Sequence, residues 1–205
     1  MTSGEFVTFV VDDDRSVLKS LSRLLRTKGY EVRAYQSGRE FLDQHDPDVP
    51  GCAILDMSMP GMSGLEIQRE LAISDVNRPV VFLSGSSGVP ASVKAMKEGA
   101  VDFLTKPAKA RDLLEAIAAA CERQLKAREQ KGELNDIQAR IANLTPRERQ
   151  VLDGVVSGLL NKQIAGRLGI SLKTVKLHRS RMMHKMSVRS VADLVRIAEA
   201  AGVRY

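Results

Sequence analysis

The sequence predicts an α/β domain with a parallel sheet, followed by a small all-α domain, and three observations carry that expectation. Short apolar runs rich in β-branched residues alternate five times with helix-period segments up to about residue 122. Beyond residue 144 the strand pattern stops and four capped helical segments follow. The charge divides along the same line. Residues 1–125 hold 15 Lys/Arg against 18 Asp/Glu, a net −3, whereas residues 126–205 hold 16 against 7, a net +9. A basic second half points to a polyanionic partner, the bland alternative being a merely soluble basic surface.

At 205 residues both parts can bury a core. No run of about 18 apolar residues is present, so no membrane span is expected. The first residues lack a basic region followed by an apolar stretch, so no secretory signal is expected. Cys52 and Cys121 lie far apart, and with His45, His178 and His184 they show neither metal-ligand spacing nor a disulfide framework. A reducing cytoplasm suits that composition.

Residues 6–13, Phe-Val-Thr-Phe-Val-Val-Asp-Asp, read as a strand buried on both faces that ends abruptly in carboxylates. Clustered like charges repel, so Asp12 and Asp13 cost stability unless a cation or a role compensates. A solvated acidic turn is the plain alternative for this stretch alone. Asp14 suits a helix N-cap. Arg15 to Lys28 then carries Val17, Leu18, Leu21, Leu24 and Leu25 at helical spacing, with Gly29 as its stop. Glu31 to Tyr35 is an outer strand and Gly38 to Gln44 a short helix.

The later strands repeat the chemistry of the first. Cys52 to Leu55 ends at Asp56, before a Pro/Gly loop running to Gly64. Pro79 to Leu83 ends at Ser84, and Ala100 to Leu104 ends at Thr105-Lys106-Pro107. Between them lie helices from Gly64 to Ala72 and from Pro90 to Glu98, and a last one from Asp112 to about Cys121. In an open α/β sheet the functional crevice lies at the carboxyl ends of the strands. Four strand ends thus deliver paired carboxylates, one carboxylate, one hydroxyl and one ammonium to one edge.

That set resembles the receiver domain of two-component response regulators, over roughly residues 5–122. The resemblance implies the flavodoxin-like strand order 2-1-3-4-5 and a Mg²⁺-dependent phosphoryl acceptor. Asp56 would take the phosphoryl group as an acyl phosphate. Asp13, with Asp12 through water, would hold Mg²⁺ beside Asp56 and the backbone carbonyl of Ser58. Lys106 would neutralise phosphoryl oxygens, and Ser84 would turn its hydroxyl to the attached group. Phe103 stands where many receivers place a switch tyrosine, and Ala108 stands where a bulky apolar residue is usual. Ser58 and Ser86 occupy positions that tune phosphoryl lifetime in this family.

Residues 123–143 are polar and charged, with Leu125, Leu134, Ile137, Ile141 and Leu144 as apolar points that form a thin helical stripe over the second half, and Gly132 is expected to interrupt it. A helical linker or short coiled coil is expected between a receiver at 1–122 and a third segment at 144–205, a flexible tether being the alternative. In that third segment Thr145-Pro146-Arg147-Glu148 reads as a capping box before Val151, Leu152, Val155 and Val156. Asn161 is expected to cap Lys162 to Leu168. Gly169 turns the chain, Ser171 caps Leu172 to Met186, and Ser190 caps Val191 to Ala201. A short helix, a tight Gly turn and a longer basic helix form a helix-turn-helix pattern.

Leu144 to Glu148, Asn161 to Ala165, Thr174 to His178 and Lys185-Met186 resemble the LuxR-type DNA-binding domain. The resemblance implies that helix 172–186 enters the major groove of double-stranded DNA. Lys176, Leu177 and Ser180 would face base edges, with Lys173 on the same side. Lys162, Thr174, Arg181 and Lys185 would meet phosphates. His178 is expected to pack half-buried, and the last helix is where this family pairs its subunits.

Together the two resemblances describe a response regulator of the NarL/FixJ class, and the fragment around Gly85 to Ala95, with Val89-Pro90 and Val93-Lys94-Ala95-Met96-Lys97, leans towards the FixJ branch. Its expected partners are a sensor histidine kinase, DNA, and a second copy of itself through residues 90–104 once phosphorylated. It would be a phosphoryl-accepting regulator, with at most slow loss of its own phosphoryl group, and no enzyme. Two rivals stand beside this reading. A dehalogenase-type phosphohydrolase would want a second Asp where Ser58 stands, and a constitutive DNA-binding protein would use its receiver only to dimerise.

Overall fold

The computed structural model describes residues 6–74, 76–85 and 89–203. Ser86, expected to tune phosphoryl lifetime, lies outside the described residues. The chain forms two compact units, Met1–Arg128 and Glu129–Tyr205.

The first unit contains strands β1 (Val7–Val11), β2 (Glu31–Tyr35), β3 (Gly51–Asp56), β4 (Val80–Ser84) and β5 (Asp102–Thr105). All neighbouring strands pair in parallel, in the order β2-β1-β3-β4-β5. Helices α1 (Arg15–Thr27), α2 (Gly38–Gln44), α3 (Gly64–Ile73) and α4 (Val89–Lys97) make the crossovers, and α5 (Ala110–Ala142) follows the last strand. β1, β3 and β4 are buried along their whole length, as strands covered on both faces must be. Side chains alternate between faces, so the sheet has two cores. Phe9, Val11, Leu55 and Phe82 pack with Phe41 and Ile67 on one side. Val10, Ile54, Val81 and Leu83 pack with Leu25, Leu113 and Ile117 on the other.

Local signals behave as their chemistry requires. Asp14 accepts from the amide of Ser16 as the N-cap of α1, and Gly29 takes φ +86° where that helix ends. Ala108 packs against the second core, so the short side chain does not leave α5 unsupported.

In the second unit, α6 (Pro146–Val156), α7 (Asn161–Leu168), α8 (Leu172–Lys185) and α9 (Val191–Ala200) enclose Leu152, Ile164, Val175, Met182 and Leu194. Thr145, Ser171 and Ser190 cap their helices as expected, and Thr145 with Glu148 closes a full capping box.

Two expectations need correction. α5 does not stop near Cys121, and Gly132 does not interrupt it; the helix is continuous for 33 residues. A single Gly in a helix costs about 1 kcal/mol relative to Ala. Burial at each end outweighs that, because Leu113 and Ile117 sit in the second core while Ile137 and Ile141 pack on the core of α6–α9. The stripe predicted for a linker or coiled coil is therefore largely part of the second unit. The other correction concerns Asn161, which is the first residue of α7 and does not cap it. The Gln163 side chain reaches back to the Leu160 amide at 2.7 Å, which frees the Asn161 side chain for a different partner.

Candidate phosphoryl-acceptor site and nucleic-acid interface

The acidic site follows from strand register. Val11 pairs with Leu55, so Asp12 and Asp56, each one residue further on, emerge side by side at the carboxyl edge. On the other flank Ser84 pairs with Thr105, and the Lys106 amide donates to the Ser84 carbonyl at 2.7 Å. This pairing carries Lys106 back over the carboxylates. Its Nζ lies 2.6 Å from Asp12 Oδ2 and 2.8 Å from Asp56 Oδ1.

One carboxylate oxygen each from Asp12, Asp13 and Asp56 falls within 4.8 Å of the others. Asp12 and Asp56 are buried and Asp13 is exposed. Burial raises the pKa of Asp12, and the hydrogen bond from Lys106 offsets this only in part. For Lys106, burial pulls the pKa down, but hydrogen bonds to Asp12 and Asp56 and their charges outweigh it, and the net shift is upward. The lysine therefore stays an ammonium ion. Three carboxylates against one ammonium leave a surplus of negative charge, and Asp13 has no intramolecular partner among the described residues. That donor set, all oxygen with an open side, fits a small divalent cation.

The remaining predicted residues surround this centre. Ser58 is exposed, and its amide lies 3.3 Å from Asp56 Oδ2. Ser84 is buried at the end of β4. Phe103 is half-buried, packs on the first core, and holds its ring 6.3 Å from that of Phe82.

The second unit presents a basic face. Lys173, Lys176, Leu177, Ser180 and Arg181 are exposed on α8, and Lys162 is exposed on α7. Leu177 is 49% exposed although Val175 and Met182 on the same helix are fully buried, so its apolar side chain is offered outward. Thr174 is half-buried and its hydroxyl shares a hydrogen bond with Ser171, which ties it to the cap of α8. His178 is half-buried, as expected of a packing residue.

Lys185, expected at a phosphate, is engaged inside the unit. Its Nζ lies 2.7 Å from Glu148 Oε2 and 3.1 Å from the Asn143 carbonyl. The Lys185 hydrogen bond first, and then the Thr145 amide, hold the Glu148 carboxyl down to about 2. Sequence reading marked Glu148 as a capping residue but not its partner on α8. Arg179 was missed altogether, and its Nη1 donates to Asn161 Oδ1 at 2.6 Å. No local pattern announces either pair.

Comparison with known proteins agrees with both halves. The profile of the response regulator receiver domain matches residues 8–118, and that of the bacterial regulatory proteins of the luxR family matches residues 142–198. Nodulation protein W of Bradyrhizobium diazoefficiens is 44% identical over 201 residues, covering 98% of this chain and 88% of that protein. Transcriptional regulatory protein FixJ of Rhizobium meliloti is 43% identical over 199 residues, 97% of each chain. Among solved structures, response regulator StyR shares 42% identity with a TM-score of 0.82 over 96% of this chain and 99% of that one. Full-length FixJ from B. japonicum shares 37% identity with a TM-score of 0.59, and the match covers 100% of both chains.

Proposed function

We propose, from the premise that this chain belongs to the NarL/FixJ-type response regulators, that phosphorylation of Asp56 by a sensor histidine kinase switches it. A receiver joined to a LuxR-type helix-turn-helix domain makes it a transcriptional response regulator. The observation that carries the finer reading is Lys106 held between Asp12 and Asp56 at an edge where three carboxylates converge.

In the proposed transfer, an oxygen of the Asp56 carboxylate attacks phosphorus, an O–P bond forms, and the bond to the donor nitrogen breaks. The carboxylate is already an anion, so no general base is needed; the demand is for positioning and charge compensation. Lys106 moves its ammonium onto the phosphoryl oxygens, and the Ser84 hydroxyl turns towards them. Mg²⁺, held by Asp13, Asp56 and the Ser58 carbonyl with Asp12 through water, would supply further neutralisation of those oxygens. Loss of the Lys106 contacts to Asp12 and Asp56 is the local charge event that biases residues 90–104, including Phe103, towards pairing with a second copy. Dimerisation then brings two α8 helices to a two-fold site on double-stranded DNA. Among the described residues no helix is long and apolar enough to cross a membrane. We place the protein in the cytoplasm, as a phosphoryl-accepting regulator and not a turnover enzyme.

Size-exclusion chromatography with light scattering, in Mg²⁺ with and without beryllofluoride, tests the switch. A monomer-to-dimer shift that disappears in Asp56→Asn is the expected result. A constant mass, together with DNA binding indifferent to acetyl phosphate, would establish instead a constitutive DNA-binding protein.

A further inference from the structure

The contact between Asn161 and Arg179 serves neither a cap nor a core. Asn161 opens α7 immediately before Lys162, and Arg179 lies mid-way along α8, one residue before Ser180. Arg179 Nη1 donates to Asn161 Oδ1 at 2.6 Å, a short bond between a cation and a neutral acceptor. Both residues are half-buried. The helix-capping task at this position has passed to Gln163, so the Asn161 amide is committed to α8.

Two kinds of DNA contact meet at this bond. The amino end of α7, with Lys162 exposed beside it, is suited to a phosphate by its dipole and by that ammonium. α8 offers Lys176, Leu177 and Ser180 to base edges. Phosphate contacts set orientation on the duplex and base contacts specify sequence, so the two must be held in a fixed relation. We propose that Asn161 and Arg179 form a register pin, in which Arg179 is a positioning residue acting through Asn161 and not a phosphate contact. The proposal rests on the reading that α8 binds DNA.

Removal of the pin lets the two helices settle independently on the duplex. Specific binding falls relative to non-specific binding, which needs only charge; Arg179→Met also removes one charge and weakens both modes alike, so the ratio of specific to non-specific affinity is the readout. The test uses the full-length protein with Mg²⁺ and acetyl phosphate throughout. Its specific probe is a duplex selected by the wild-type protein from a random pool, and its non-specific probe is a scrambled duplex. Asn161→Ala and Arg179→Met should each lower the ratio of selected to scrambled duplex affinity about tenfold, the worth of one charge-assisted hydrogen bond. The double variant should lose no more than either single one, as expected of a coupled pair. Asn161→Asp keeps the acceptor and should preserve the specific to non-specific ratio, although its added charge weakens both modes.

Salt dependence separates the alternatives. If Arg179 met a phosphate, Arg179→Met would weaken both duplexes by the same factor, leave their ratio unchanged and flatten the salt slope by about 0.9, whereas Asn161→Ala would do nothing. That result overturns the pin. Equal loss on both duplexes with a lower melting temperature would also overturn it, by showing a purely structural bond. Failure of the wild-type protein to enrich any duplex would instead overturn the DNA-binding reading beneath it.

Discussion

Lys106 and Asp56 are joined at 2.8 Å, and the same ammonium reaches Asp12 at 2.6 Å. One cation thus holds together two carboxylates that parallel register forces side by side. Breaking a buried pair by removing one partner is far more costly than never having built it. Lys106→Met should lower stability by about 2–4 kcal/mol in Mg²⁺-free buffer. Millimolar Mg²⁺ should restore part of that loss, and labelling by acetyl phosphate should fall at least about tenfold, since a stabilising charge worth ~1.4 kcal/mol is removed from the transition state. Urea midpoints in EDTA and in Mg²⁺, with Phos-tag gels for labelling, check both outcomes. Equal midpoints for the two proteins in EDTA would show that the pair contributes nothing.

Gly64 opens α3 beneath this site. A Cβ there would lie 2.5 Å from the Asp56 carbonyl oxygen and 2.9 Å from Cε1 of Phe82. The Gly64 amide also donates to the Met57 carbonyl at 3.2 Å, so the helix start cannot retreat without losing that bond. Gly64→Ala should destabilise the receiver by about 1–3 kcal/mol through overpacking. It should also slow Asp56 phosphorylation, because the strand end that carries Asp56 is what must yield. Gly132→Ala is the control: nothing lies within 4 Å of a Cβ at that site, and stability should rise slightly.

Arg78 fastens the opposite edge of the sheet. Its guanidinium lies 4.1 Å from the centre of the Phe9 ring and donates to the carbonyls of Asp46 and Val49. Burial pulls its pKa down to about 10, which still leaves it charged at neutral pH. Arg78→Lys keeps the charge but not the flat fork, and should cost about 2–3 kcal/mol from the lost hydrogen bonds and ring contact. Chemical denaturation followed by circular dichroism measures it. A cost under 0.5 kcal/mol would mean that charge alone matters there.

Glu148 and Lys185 predict an acid-sensitive step confined to the second unit. The Glu148 pKa is depressed from 4.5 to about 2, so its stabilisation is fully present above about pH 4.5 and disappears as pH falls towards 2. Amide signals from residues 144–203 should accordingly melt at lower urea across that window. Glu148→Gln should be less stable at neutral pH by about 1–3 kcal/mol and should show a shallower pH dependence. Lys185→Met should mimic it, which a phosphate contact without a structural role would not do.

Much of the candidate site's geometry was legible because each part ends its own strand. Asp12, Asp56, Ser84 and Lys106 each follow an apolar run, and a parallel sheet necessarily gathers such ends at one edge. The caps Thr145, Ser171 and Ser190 were legible for a similar reason, since an N-cap acts on amides two or three residues away. The extent of α5 was not. Helix propensity and a Gly at 132 argue locally, while the burial of Ile137 and Ile141 that sustains the helix comes from α6–α9.

By itself, then, the sequence determined which chemistry each strand end and helix start would carry, through interactions spanning a few residues. Only the tertiary structure decided which polar groups meet: Lys106 with Asp12 and Asp56, Lys185 with Glu148, and Arg179 with Asn161. A hydrogen bond is sensitive to tenths of an ångström, and hydrophobic periodicity reports which face of a helix or strand is buried. It does not report which long side chain on another helix will arrive there.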